Sequence, residues 1–153
     1  MLDSRDHAIL ALLQEDAEIP VTEIADKVAL SASACSRRLQ RLKDDGYIER
    51  HVALLDRRRI GLPMTVFVIV RTSRHSSDWL ERFRAAVAGV PEIVEVHRLT
   101  GNFDYVVKIA CRDVEHYDAI YKRLVNSLEF SEVSAYISME TLKSETRLPT
   151  QFA

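Results

Sequence analysis

Up to about residue 45 the apolar positions recur at helical spacing, and from residue 64 onward strand-like runs alternate with helical ones. Asp3 can cap a first helix whose stripe is Ile9, Leu12 and Leu13, with Leu2 just outside it. Pro20 interrupts, and Thr22 can cap a short second helix with Ile24, Ala25 and Val28 facing inward. Ala29-Leu30-Ser31 then reads as a tight turn. Ser31 caps a third helix that runs to about Asp45 and is stopped by Gly46. At about 100° per residue, Cys35, Leu39 and Leu42 fall in one narrow sector of that helix and must face a core. Residues 47–55, YIERHVALL, read as an extended segment with Ile48, Val52 and Leu54 on one side.

The run DRRRIGLP at 56–63 combines charge, Gly61 and Pro63 and divides the chain into a helical domain at 1–63 and a second domain at 64–153. In the second domain, Met64 to Thr72 is a strand apolar on both faces, Val66, Val68 and Val70 opposing Phe67 and Ile69. Ser76 to Gly89 reads as a helix with Leu80, Phe83 and Val87 inward and Ser77 near its cap. Ile93 to Leu99 and Phe103 to Cys111 read as strands joined by a tight Gly101-Asn102 turn. Asp113 to Ser127 reads as a helix with Tyr117, Tyr121, Leu124 and Leu128 along one face, and Val133 to Leu142 as a last strand. The order βαββαβ predicts a ferredoxin-like fold, so the fold class is α+β. In that fold the helices cover one face of the sheet. A first strand apolar on both sides therefore predicts a second copy of the sheet on the other face, and hence a homodimer.

Charge sharpens the picture only locally. The whole chain carries 21 Lys and Arg against 23 Asp and Glu, yet no acid occurs from Lys27 through Lys43. On the third helix Ser33, Arg37 and Gln40 lie opposite the apolar sector, Ser36 and Arg41 to either side, and Arg38 nearer the flank; Ser31 stands at its start. Short hydroxyls let a helix approach a groove floor, and guanidiniums fork onto guanine edges or clasp phosphates. A short helix, a tight turn and such a following helix make a helix-turn-helix of the winged type, with double-stranded DNA as its partner. The competing reading is a solvated amphipathic helix that only completes a three-helix core; solvated helices, however, mix signs to gain i,i+4 pairs. The triplet Arg57-Arg58-Arg59 is weaker, since a short basic loop is usually just hydrated.

Other chemistry is sparse. Cys35 and Cys111 have no CxxC spacing and read as two buried thiols. His7, His51, His75, His97 and His116 form no HxxxH or HExxH pair, so neither a metal nor a cofactor is expected; His97 reads as a packed or interface residue and Met139 as core. No nucleophile–base pair, phosphate loop or paired carboxylate supports an enzyme, and acyl-phosphate hydrolysis would rest on fold analogy alone. The start MLDSRDHAIL lacks the basic and apolar regions of a signal peptide, and MTVFVIV is too short to span a bilayer, which predicts a cytoplasmic protein.

The residues Leu2-Asp3 with Asp6 and Ile9, LSASACSRRLQRLKDDGYI (30–48), ALLD (53–56) with Gly61, TGNFDY (100–105) and ISMETLKSETRLP (137–149) together resemble the Lrp/AsnC (feast/famine) family of transcription regulators. The resemblance implies an N-terminal helix-turn-helix, a linking strand and a ferredoxin-like regulatory domain, the RAM domain. It further implies dimers through the sheets, octamer-like rings, an amino-acid effector bound where dimers meet, and control of amino-acid metabolism or transport genes. An architectural DNA-binding protein that ignores small molecules is the alternative. Within TGNFDY, Thr100, Gly101, Asn102 and Asp104 become effector candidates: Gly101 turns backbone N–H groups toward a carboxylate, Asn102 adds an amide, and Asp104 holds the ammonium. Taken alone, the same residues are an ordinary hairpin turn. Ile137 and Ser138 on the last strand of a neighbouring subunit are candidates for the other wall. Two positions depart from the family's habit. Ala29 stands where glycine is frequent, which implies strain if the turn needs a positive φ, and Arg57 stands where proline is frequent, which implies a looser linker.

Overall fold

The computed structural model describes residues 2–73 and 76–152; His75 lies outside them. The chain forms two compact units, Met1–Leu54 with Lys143–Ala153, and Leu55–Leu142.

The first unit is a three-helix core: α1 (Ser4–Glu15), α2 (Val21–Lys27) and α3 (Ala32–Asp44). Cys35, Leu39 and Leu42 of α3 are buried with Ile24 and Ala25 of α2 and Val28 just past its end, as their angular spacing requires. On α1 the fully packed residues are Ile9 and Leu10, with Leu12 and Leu13 at the margin. The cap of α2 differs from expectation: the helix starts at Val21 behind Pro20, and Thr22 sits inside the first turn. Proline has no N–H to satisfy and its fixed φ suits a helix entrance. Residues 49–55 form no ladder among the described residues, and Val52 and Leu54 are exposed.

Helices α2 and α3 end in the same backbone motif. After α3, Gly46 takes a left-handed φ of 79°, and the N–H groups of Gly46 and Tyr47 bond back to the carbonyls of Lys43 and Leu42. After α2, Ala29 and Leu30 bond back to Asp26 and Ala25, and Ala29 is driven to φ 52°. These are Schellman ends, which need a residue in the left-handed region just past the helix. Glycine meets that need without strain; the Cβ of Ala29 does not.

The second unit is a four-stranded antiparallel sheet of order β2-β3-β1-β4, with strands β1 (Met64–Arg71), β2 (Ile93–Arg98), β3 (Tyr105–Cys111) and β4 (Glu132–Ile137). Helices α4 (Ser77–Ala88) and α5 (Val114–Ser127) pack on one face over Val66, Val68, Val70, Val107 and Ile109. Ser76, one residue before the expected cap, closes the start of α4. Trp79 and Ile120 are the most deeply buried helix residues here, each shifted from the stripes read above toward the helix N-terminus. Trp79 stacks on Phe83 at 5.1 Å and donates its indole N–H to the Glu129 carbonyl. β4 ends at Ile137, so Met139 is 94% exposed rather than core.

The other face carries Phe67 and Ile69 on β1, Val106 on β3 and Tyr136 on β4, with Phe67 and Tyr136 directly paired across strands and 37% and 58% exposed. His97 lies on this face beside Glu95, which is held by Lys108 at 2.6 Å. The β2–β3 connection is a six-residue loop, 99–104, rather than a two-residue turn. It is closed by the Leu99 N–H donating to the Asp104 carbonyl, with Gly101 at φ 105°.

The C-terminal tail belongs to the first unit, not to the second as the sequence boundary suggested. Gln14 of α1 accepts from the Leu148 N–H at 2.6 Å and donates to its carbonyl at 3.0 Å, and Arg147 pairs with Glu15 at 3.2 Å. Arg57 also departs from expectation. Its guanidinium donates to the Thr65 hydroxyl and the Met64 carbonyl, and so ties the loop to β1 instead of loosening it.

Replacing Ala29 by glycine removes the Cβ strain and should raise unfolding stability by about 1 kcal/mol, whereas Gly46→Ala should lower it by a similar amount. Urea unfolding followed by far-UV circular dichroism measures both.

Candidate DNA interface and effector cleft

The candidate DNA-binding surface starts from a carboxylate. Asp3 caps α1 by accepting from the N–H groups of Arg5 and Asp6, and Asp6 returns the bond by accepting from the Asp3 N–H. Asp6 is 1% exposed, yet both its oxygens are charged partners of α3: Arg38 reaches Oδ1 at 2.8 Å and Arg41 reaches Oδ2 at 2.6 Å. Arg38 also holds Asp3 at 2.6 Å. Burial raises the Asp6 pKa, but the Asp3 N–H and the two guanidiniums outweigh it and hold the group below its ordinary value. The Asp6 N–H and Arg38 pull Asp3 down to about 2.

This cluster divides the predicted DNA-binding residues. Arg38 and Arg41 use part of their donor forks to fasten α3 to α1, a role the sequence reading missed. Ser31 accepts from the Ala34 N–H as the helix cap and lies 3.3 Å from the Ser33 hydroxyl, and Gln40 donates to Asp44 one turn on. Ser33, Ser36 and Arg37 are exposed, and Arg37 has no hydrogen-bond or ion-pair partner among the described residues. The α3 face away from the core is thus hydroxyls, an amide and an unpaired guanidinium, with two anchored arginines on its flank.

The second site is a cleft of about 530 Å³ at one end of the sheet. Three segments meet there: the end of β1 with Arg71, Thr72 and Ser73; the 99–104 loop with Gly101, Asn102 and Asp104; and the start of β4 with Ser131 and Glu132. Asp104 is positioned by its surroundings. Its N–H donates to the Val70 carbonyl, and its Oδ2 accepts from the Thr72 N–H at 2.8 Å. Arg71 and Glu132 are cross-strand neighbours, 4.0 Å apart. Of the six predicted effector residues, the structure brings Gly101, Asn102 and Asp104 to this cleft. Thr100 is in the same loop but off the lining, while Ile137 and Ser138 lie at the opposite end of β4. Arg71 and Glu132 were not among the predicted effector residues, because their meeting depends on β1–β4 register. The cleft therefore offers two carboxylates, a guanidinium, an amide and a glycine turn, a set complementary to a zwitterion. Among the described residues no cluster of His, Cys, Asp or Glu could hold a metal, and no helix is long and apolar enough to cross a membrane.

A helix-turn-helix unit and a ferredoxin-like unit with a polar cleft define a DNA-binding regulator with a ligand-binding domain. Family models match accordingly: winged helix-turn-helix DNA-binding over residues 2–49, and the Lrp/AsnC ligand binding domain over residues 65–148. The chain belongs to the Lrp/AsnC family of transcriptional regulators, which are not enzymes. It is 57% identical to the HTH-type transcriptional regulator Zrp of Zymomonas mobilis, over 99% of each chain. Among solved structures it matches an AsnC family regulator of Agrobacterium tumefaciens, with 42% identity, a TM-score of 0.95 and 99% of each chain covered. It also matches a transcriptional regulator of Neisseria meningitidis solved as an L-Met complex, with 30% identity, a TM-score of 0.94 and 99% of each chain covered.

Asp6→Asn leaves two guanidiniums facing a neutral amide and should cost on the order of 2 kcal/mol in urea unfolding. Because Asp3 and Asp6 have lowered folded pKa values, their contribution is complete above about pH 4 and is lost as pH falls toward 2. An acid titration of the wild type should show this loss, and Asp6→Asn should flatten it.

Proposed function

We propose that the protein binds operator DNA through the outer face of α3 and that a free amino acid in the sheet-end cleft alters that binding or the assembly that presents it. The observation that carries the DNA reading is the Asp6 anchor. It holds α3 in one rotation, with Ser33, Ser36, Arg37 and Gln40 directed away from the core. Arg37 is the candidate for base-edge contact, and Arg38 and Arg41 offer their remaining donors to phosphates. Ser31, at the helix start, completes the approach.

The effector reading rests on charge complementarity. Asp104 and Glu132 match an ammonium, while Arg71, Asn102 and the Gly101 turn match a carboxylate. The Neisseria relative in complex with L-Met supports an amino acid as the class. Two subunits meet through the apolar sheet face around Phe67 and Tyr136, and dimers assemble further so that Ile137 and Ser138 of a neighbour, together with Thr100, flank the cleft. The genes controlled are those of amino-acid metabolism or transport, and the setting is the cytoplasm.

Affinity for a promoter fragment should fall with salt at a log–log slope of about −0.9 for each phosphate neutralised. Arg37→Ala should cost about 1–3 kcal/mol on the specific site and much less on competitor DNA. A flat salt response would sink the DNA reading.

In a thermal-shift panel of the twenty amino acids, at least one should raise the midpoint, by about 2.7 kcal/mol of stabilisation at a hundredfold excess over Kd. Glu132→Gln should abolish that shift. A panel with no shift would leave an architectural DNA-binding protein instead.

A further inference from the structure

A second cleft, of about 270 Å³, lies between α4 and the edge strand β2. Its floor is apolar. Phe83 and Tyr105, with ring centroids 4.7 Å apart, are buried, and Leu80, Val87 and Val96 flank them half-buried. The remaining two lining residues are Arg84 from α4 and Arg98 from the end of β2. Neither guanidinium has a hydrogen-bond or ion-pair partner among the described residues, and no acidic residue lines the cleft. Their neighbours behave differently: Arg82 pairs with Asp78 at 2.8 Å and Arg123 with Glu92 at 3.1 Å.

Two unneutralised guanidiniums beside an aromatic and aliphatic floor make a specific demand on an occupant. A carboxylate takes charge-assisted, forked bonds from them, and these are stronger at the edge of an apolar surface than in open water. The floor takes an apolar body, whose burial contributes about 25 cal/mol per Å². An ammonium finds no carboxylate here and meets two positive charges. The sheet-end cleft, with Asp104 and Glu132, makes the opposite demand.

We propose that this cleft is a second ligand site, selective for an apolar monocarboxylate that lacks an ammonium group. It does not rest on the amino-acid reading of the first cleft. The volume of about 270 Å³ suits a small branched or aryl acid.

Isothermal titration of the full chain with phenylacetate and with 4-methyl-2-oxopentanoate tests it, with L-phenylalanine as the ammonium-bearing control. At least one acid should bind saturably, one per chain, and more tightly than L-phenylalanine binds in the Glu132→Gln variant. The double variant Arg84→Gln with Arg98→Gln should weaken binding tenfold or more. Arg84→Lys with Arg98→Lys, which keeps charge but loses the fork, should lie between. Because Trp79 is the single tryptophan and stacks on Phe83, its emission should shift on binding. Absence of saturable binding by both acids, binding unchanged in the double glutamine variant, or binding lost in Glu132→Gln would each overturn the proposal. The amino-acid thermal shift reads the first cleft separately, so either site can fail without the other.

Discussion

The geometry of the helix-turn-helix unit depends on one buried carboxylate. Asp6 is enclosed among helices, where an isolated charge would be strongly disfavoured, and it is tolerated because three donors converge on it. Two of those donors come from α3, three residues apart, so they grip the helix from one side and leave it little freedom to roll. Arg37 stands about 100° behind Arg38 on that helix, just past the grip, and is turned outward by it. The same interaction that completes the α1 cap thus sets which α3 side chains face away from the core.

What the sequence disclosed follows from how local each feature is. The α3 core sector and the Ser31 cap are decided within one helix and its ends, so spacing and turn chemistry reveal them, whereas the strain at Ala29 was suggested only by the resemblance to a family in which glycine is frequent there. The βαββαβ order is similarly local, since each element has its own period. The Asp6 cluster was hidden because its partners lie 32 and 35 residues away. An acid-free stretch in α3 suggested charges held for DNA alone, when two of them are balanced by α1. Trp79 and Ile120 were passed over because an apolar face on a helix is wide, and tertiary packing chooses its centre. The return of the tail to Gln14 and Glu15 is a contact across more than 130 residues that no period encodes. Half of the predicted set meets at the cleft for the same reason: Gly101, Asn102 and Asp104 share a loop, whereas Arg71 and Glu132 meet only through strand register.

The linker shows how chemistry can replace a backbone constraint. Proline would stiffen residue 57 by fixing φ; arginine there leaves φ free but adds two side-chain bonds to Met64 and Thr65. Asp56 adds order by accepting from the N–H groups of Arg58 and Arg59, and the Ile60 and Leu62 N–H groups bond back to Asp56 and Arg57. Gly61, at φ 80°, permits the turn that follows. The basic triplet is therefore mostly a structural loop. Arg57 is committed to β1 and Arg59 sits 3.5 Å from Asp56, which argues against counting all three as phosphate contacts.

Electrostatic sorting accounts for how one small domain can hold two clefts without confusing their ligands. Both clefts can attract a carboxylate, so the carboxylate carries no information. Selection falls on the second group. Beside Asp104 and Glu132, a carboxylate that brings no ammonium adds negative charge near two carboxylates, and like charges in a cleft repel more strongly than in bulk water. Where only Arg84 and Arg98 stand, an ammonium adds a third positive charge and forfeits its own hydration over the Phe83 and Tyr105 rings. Apolar shape then refines the choice in the second cleft, while the polar lining of the first makes charge the main criterion there. On the two proposals, an amino acid and the acid obtained by removing its nitrogen would fall to different clefts of the same domain, a separation that follows from which strand ends carry acids and which carry only bases.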